Sequence, residues 1–149
     1  MKSLLFSVCA AAVLLVGCTS SPKKVAEADD VETVNPVEGR WSIDRVQLSD
    51  SAVLVIDTAV MAEQFVEFNA DSTYVVLTNC NSISGAYALN GDSITLADGA
   101  MTEMACDDMR AEDMLRVILP QISAYAVDGD SLRLSAAGQM ARIELHRAE

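Results

Sequence analysis

Two cysteines constrain this chain more than any other feature. The sequence has four, at positions 9, 18, 80 and 106, and the first two belong to an N-terminal export signal and its end. Cys80 and Cys106 are then the only pair left for folding. An exported protein has few uses for such a pair besides a disulfide, and two cysteines allow one connectivity. Closing a loop of this size contributes about 3–4 kcal/mol by chain entropy. That is a large share of the net stability of a small domain. The bridge would tie the unit Asn79–Tyr87 to the segment Thr102–Cys106, which leads into the one convincing helix. A redox-active thiol pair is the lesser alternative, since only Arg110 lies near enough in sequence to lower a thiol pKa.

The first residues set the address. Met1-Lys2-Ser3 is a short positive start, and Leu4 to Val16 is apolar except for Ser7. This is a secretory signal, too short to span a bilayer. Leu15-Val16-Gly17-Cys18 matches the bacterial lipobox, in which the Cys18 thiol is diacylated and the freed amine takes a further chain such as palmitate. Several acyl chains together hold a protein stably to a membrane. Thr19, rather than Asp, follows Cys18; by resemblance to Gram-negative lipoproteins this favours the outer membrane, on its periplasmic face or at the cell surface.

The division expected is a lipoprotein signal at 1–17, a lipidated cysteine and flexible tether at 18–38, and one domain at 39–149. Residues 19–38 carry two prolines, mixed charge and no hydrophobic period, as a tether does. Removing residues 1–17 leaves 132 residues and takes the formal charge from −12 to −13, because Lys2 is the only charge lost. A chain of that size builds one modest core. Its acidity argues against nucleic acid, whose phosphates need a basic patch. Solubility accounts for the charge more simply than a basic partner does.

Within the domain the reading is mostly strands. Gly39–Val46 alternates around Trp41 and Ile43. Val53–Ile56 is strand-like, while Ala59–Glu63 has the look of a helical turn. Phe65–Phe68 and Ser72–Thr78 flank an Asn-Ala-Asp turn. Tyr87-Ala-Leu-Asn-Gly-Asp-Ser-Ile-Thr-Leu96 recurs as Tyr125-Ala-Val-Asp-Gly-Asp-Ser-Leu-Arg-Leu134. Asn-Gly and Asp-Gly between alternating apolar residues mark tight hairpins. Between the copies, Ala111, Met114, Leu115, Ile118 and Ile122 share one helical face. Asp107 and Asp108 can cap this helix, Glu112 and Asp113 suit its positive end, and Pro120 stops it near Leu119. Met140–His146 closes the chain as a last strand.

The ordered set Cys80-Asn81, Gly85-x-Tyr87, Thr102-x-Met104-Ala105-Cys106, an amphipathic helix, and Tyr125-x-Val-x-Gly-Asp-x-Leu-x-Leu134 resembles the META domain, the family of the HslJ-like heat-shock proteins. Trp41 fits the Trp near the start of such domains. The resemblance covers about Gly39 to Leu145. Asn79 stands where the family usually has Gly, and Met101 where Ser is common. The resemblance implies an α+β fold: a curved antiparallel β-sheet, partly closed and barrel-like, with one amphipathic helix packed on it. It implies an envelope location and links to stress and antibiotic tolerance. It supplies no catalytic residues, so Asn81, Gly85, Tyr87, Thr102, Met104 and Ala105 are read as structural.

No catalytic group and no metal site is expected, and no cofactor. His146, the only histidine, falls near the end of a terminal strand, so triad chemistry has no base elsewhere. One histidine and two bridged cysteines cannot make a zinc site. Asn90-Gly91-Asp92 and Asp128-Gly129-Asp130 look faintly like calcium loops, but hairpin turns explain them better. Asp107, Asp108, Glu112 and Asp113 could gather a divalent cation, though capping explains them as well.

The expectation is a non-enzymatic outer-membrane lipoprotein. It is held to the membrane through Cys18 and acts on an unknown envelope protein or cell-wall component. One alternative is a lipocalin-like carrier of a small apolar ligand, cradled near Trp41. Another is an enzyme inhibitor presenting a loop near Ser82–Ser84 or Met101.

Overall fold

The computed structural model describes residues 34–57, 63–97, 99–138 and 140–148. The export signal, Cys18, the tether up to Thr33 and most of the Ala59–Glu63 turn lie outside them.

Among the described residues, ten antiparallel strands and one α-helix form the domain. In chain order they are β1 (Gly39–Ser49), β2 (Ala52–Val55), β3 (Phe65–Phe68), β4 (Thr73–Leu77), β5 (Ser82–Asn90), β6 (Ser93–Leu96) and β7 (Ala100–Met101). The helix α1 (Arg110–Ile118) follows, then β8 (Ile122–Asp128), β9 (Ser131–Ala136) and β10 (Arg142–Arg147). Eight strands close a ring in the order β1-β3-β4-β5-β6-β8-β9-β10 and back to β1. The sheet is therefore a closed barrel. Two short strands lie off the ring: β2 pairs with the second half of β1, and β7 pairs with β5.

The ring closes on β1. Trp41 pairs with Arg147 of β10 on one side and with Val66 of β3 on the other. The register with β10 slips between Ile43 and Arg45, so Asp44 is the extra residue of a bulge. A bulge bends and twists its strand. Here the bend divides one long strand between two partners, β3 and β2.

Alternation fills the inside. Ile43, Val66, Phe68, Val76, Leu134 and Ile143 are each almost wholly buried. The Phe68 and Tyr87 rings meet edge to face, 5.0 Å between centroids, a favoured aromatic geometry. Trp41 is fully buried, its Nε1–H donates to the Val37 carbonyl at 2.7 Å, and the Arg147 guanidinium lies 4.2 Å from its ring centre. It is a core plug, and among the described residues it lines none of the clefts of the domain.

The repeated decapeptide gives two hairpins, β5–β6 and β8–β9. Asn90 pairs with Ser93 and Asp128 with Ser131, so the turn residues are Gly91-Asp92 and Gly129-Asp130. The turn is thus one residue later than Asn-Gly or Asp-Gly placement implies. Gly91 and Gly129 take φ of +57° and +56°, which favours glycine at the first turn position. The hairpins are neighbours in the ring, joined by the single pair Ser93–Ala124. Tyr125 strengthens that thin seam: its N–H donates to the Asp92 carbonyl and its hydroxyl to the Gly91 carbonyl.

The helix packs on β1 and sinks Ala111, Leu115 and Ile118 into the common core. It ends at Ile118, and a 3-10 turn at Leu119–Gln121 carries Pro120. Ile122 is buried but belongs to β8, because that turn redirects the chain before the helical face can continue. At the helix start Met109 has no side-chain cap of its own, while Asp108 accepts from the Arg110 N–H, the first of the helix, and from the Arg110 guanidinium. Glu112 and Asp113 both fall in the first turn, at the positive end of the helix, and Glu112 is buried there at 1% exposure.

The tether boundary at 38 also moves. Val37 is fully buried, and Asn35 donates through Nδ2 to the Tyr87 hydroxyl. Residues 35–38 are part of the packed domain. From Val34 onward the chain is one compact unit with its own core and its own disulfide, which is what independent folding needs.

Candidate functional site

The Cys80 corner begins at Thr78. Its hydroxyl accepts the N–H groups of Cys80 and Asn81 and donates to the Asn81 carbonyl at 2.8 Å. Such local bonding by threonine is what turns a strand end into a tight corner. The corner aims the Asn81 side chain at the far segment. Cys80 and Cys106 are bridged, with Cα atoms 6.1 Å apart.

Asn81 is the hub. Its Oδ1 accepts from the Thr102 hydroxyl and from the Met104 N–H, both at 2.7 Å. Its Nδ2 donates to the Met104 carbonyl at 2.9 Å and to Glu112 Oε2 at 2.7 Å. The side-chain amide therefore grips both backbone groups of Met104, as a neighbouring strand would. At 1% exposure, Asn81 and Glu112 are both buried. A buried carboxylate needs a donor, and here the amide supplies it. Position in the first turn accounts for Glu112 by the helix dipole alone; its contact with Asn81 appears only in three dimensions.

The segment held this way is itself on the surface. Thr102 to Asp107 is exposed throughout, and the Met104 side chain is 58% exposed. Its backbone is fixed and its side chains are presented. Ala105 is exposed within it. Asn79, where the family usually has Gly, reaches across to donate to the Asp108 carbonyl at 2.7 Å.

The other motif residues serve the frame. A Cβ on Gly85 would lie 2.5 Å from the Ala97 carbonyl oxygen and 2.8 Å from the Tyr74 ring. This is the close backbone approach that glycine in a strand signals. Tyr87 is a latch. Its N–H donates to the Ser72 carbonyl and its hydroxyl to the Asn69 carbonyl, while Asn35 donates to that hydroxyl. Burial pushes its phenol above the ordinary tyrosine range.

The remaining candidates do not assemble. His146 Nδ1 sits 2.8 Å from Asp44 Oδ1 on an exposed face. Asp108 is taken by Arg110, whose hydrogen bonds hold its carboxyl down to about 2, and Glu112 is turned inward to Asn81. The four acidic residues therefore do not converge, and no metal-holding cluster occurs among the described residues. Ser82–Ser84 and Met101 are paired in β5 and β7, with Ile83 buried, so neither is the protruding loop an inhibitor would present. Among the described residues no helix is long and apolar enough to cross a membrane.

Comparison with known proteins gives the following. The META domain family model matches residues 33–148. Among solved structures, an NMR structure of a protein from Burkholderia xenovorans is similar, with TM-score 0.64 and 16% identity over 75% of this chain and 83% of that one. A crystal structure of a DUF4847 family protein from Bacteroides vulgatus is similar, with TM-score 0.53 and 14% identity over 75% and 94%. At these identities the likeness is one of fold. No curated protein matches.

Proposed function

We propose, from the premise that this chain belongs to the META domain family, that it is a non-enzymatic lipoprotein of the cell envelope. It is anchored through Cys18 and acts in stress or antibiotic tolerance by binding a protein or cell-wall partner. One observation carries the binding role: the segment Thr102–Asp107 is fully exposed yet fixed by the disulfide and by Asn81. A surface already ordered before contact loses less entropy on binding. Met104 at its centre is a flexible apolar side chain of the kind binding surfaces favour.

Two experiments test this reading. A photocrosslinking residue in place of Met104 should capture a discrete envelope partner in intact cells, whereas the same residue in place of Val53 on β2 should not. Equal capture from both positions, or none from Met104, would reject the binding segment. For the anchor, labelled palmitate should enter the full chain and be lost on Cys18→Ser; persistence of label in that variant would remove the lipoprotein assignment.

A further inference from the structure

An open cleft of about 240 Å³ lies where Arg116 of α1 and the following turn, Leu119–Pro120, meet the core-facing side chains Tyr74, Ile83 and Leu96 and the short strand β7. Tyr74, Ile83, Leu96, Met101, Leu119 and Pro120 give it a mainly apolar wall. Two glycines shape it. A Cβ on Gly99 would fall 1.3 Å from the Ser84 carbonyl oxygen, so this wall is bare backbone pressed on backbone. Gly85 leaves room for the Tyr74 ring, which any side chain there would displace. Among the described residues, Arg116 is the one charged side chain lining the cleft, and it is exposed and in no ion pair with another of them.

We infer that this cleft binds a short amphipathic monocarboxylate, its chain against Ile83, Leu96 and Leu119 and its carboxylate on Arg116. The charge decides the class. The acidity of the chain, at −12 overall, and the negative end of the helix nearby both oppose an anion, so the preference for one rests on Arg116 alone. An anion is held there only by a full positive charge, and Arg116 supplies one in the bidentate form suited to carboxylates. The volume decides the length. It lies just below the roughly 300–1,000 Å³ of drug-sized pockets, so it covers a short hydrocarbon chain and leaves the rest of a longer one in solvent. The wall is apolar, which selects a hydrocarbon body over a sugar or a nucleotide.

The test uses the chain from Val34 onward, labelled with 15N, and three probes of equal chain length: octanoate, octanol and octylammonium. Octanoate should give saturable amide shifts at Gly99, Met101 and Leu119. Arg116→Gln should weaken octanoate about tenfold, the loss of one charge-assisted contact, and leave octanol unchanged. Because Arg116 is exposed and in no ion pair among the described residues, this variant keeps the fold, which its unperturbed spectrum elsewhere checks. Octylammonium should bind more weakly than octanoate. The inference is overturned by any of three results: no saturable shifts at the cleft, octylammonium binding as well as octanoate, or Arg116→Gln binding octanoate like the parent. None of these outcomes bears on a partner at Met104, whose supporting hydrogen bonds Arg116 does not share.

Discussion

Replacing Asn81 by Asp changes one atom's chemistry and almost no volume, and it should make the domain acid-loving. The Oδ1 contacts to Thr102 and Met104 can persist, but the two Nδ2 contacts, to the Met104 carbonyl and to Glu112, lose their donor. A second carboxylate then stands at hydrogen-bond distance from a buried one. Two such groups cannot both ionise. The pair must keep one proton in the folded state, and that proton can replace the lost contact between them. Holding a carboxyl protonated at pH 7 costs about 3–4 kcal/mol relative to an unfolded chain in which carboxyls ionise freely. The lost contact to the Met104 carbonyl adds about 1 kcal/mol at every pH.

The sign follows from proton counts. The folded variant binds one more proton than the unfolded one between about pH 4.5 and pH 7, so its stability falls as pH rises. The deficit relative to the parent should be near 1 kcal/mol at about pH 4 and grow by about 1.4 kcal/mol per pH unit. At pH 7 it reaches about 4–5 kcal/mol, a drop of about 15–20 °C in melting temperature for a domain of this size. Thermal melts of parent and variant by circular dichroism, at half-unit pH steps, measure it. A variant as stable as the parent at pH 7, or a deficit independent of pH, would refute a buried Asn81–Glu112 contact.

Three further outcomes are expected. Cys80→Ser should lower stability by about 3–4 kcal/mol under oxidising conditions, and reductant should bring the parent down to the same curve; equal melts would deny the bridge a role in stability. Tyr87→Phe removes the hydroxyl shared by Asn35 and Asn69 and should cost about 1–2 kcal/mol, with faster proteolysis before Val37 as a second readout. The Asp108 carboxyl, held down to about 2 by Arg110, stabilises the fold above the ordinary carboxylate range and ceases to as pH falls through about 2. Asp108→Asn should therefore flatten the acid limb of the stability curve between about pH 4 and pH 2, by less at high salt.

Strands with a strict period were legible from sequence: β1, β3, β4, β10 and both hairpins follow alternation and turn residues alone. The disulfide was legible by counting. Closure of the ring was not, because it rests on β1 serving three neighbours, and the Asp44 bulge that permits this has no local signature. The Asn-Gly signal located the first hairpin but placed the turn one residue early, since Gly91 takes the first turn position. Glu112 shows the main limit. A carboxylate in the first turn of a helix has a sufficient local explanation, and nothing in its neighbours announces an amide from residue 81. Val37 is similar: it sits in a polar stretch, and neither its burial nor the bond its carbonyl accepts from Trp41 has a local signature.

Trp41 is the only tryptophan in the sequence, and it lies on the strand where the ring shuts, sealed beneath an arginine from the last strand. Its emission is therefore a native optical gauge of that joint. In the intact molecule it should be blue-shifted and shielded from iodide. Parting of the first and last strands would redden and expose it before the remaining hairpins came undone, so opening at this one place can be timed without attaching any dye.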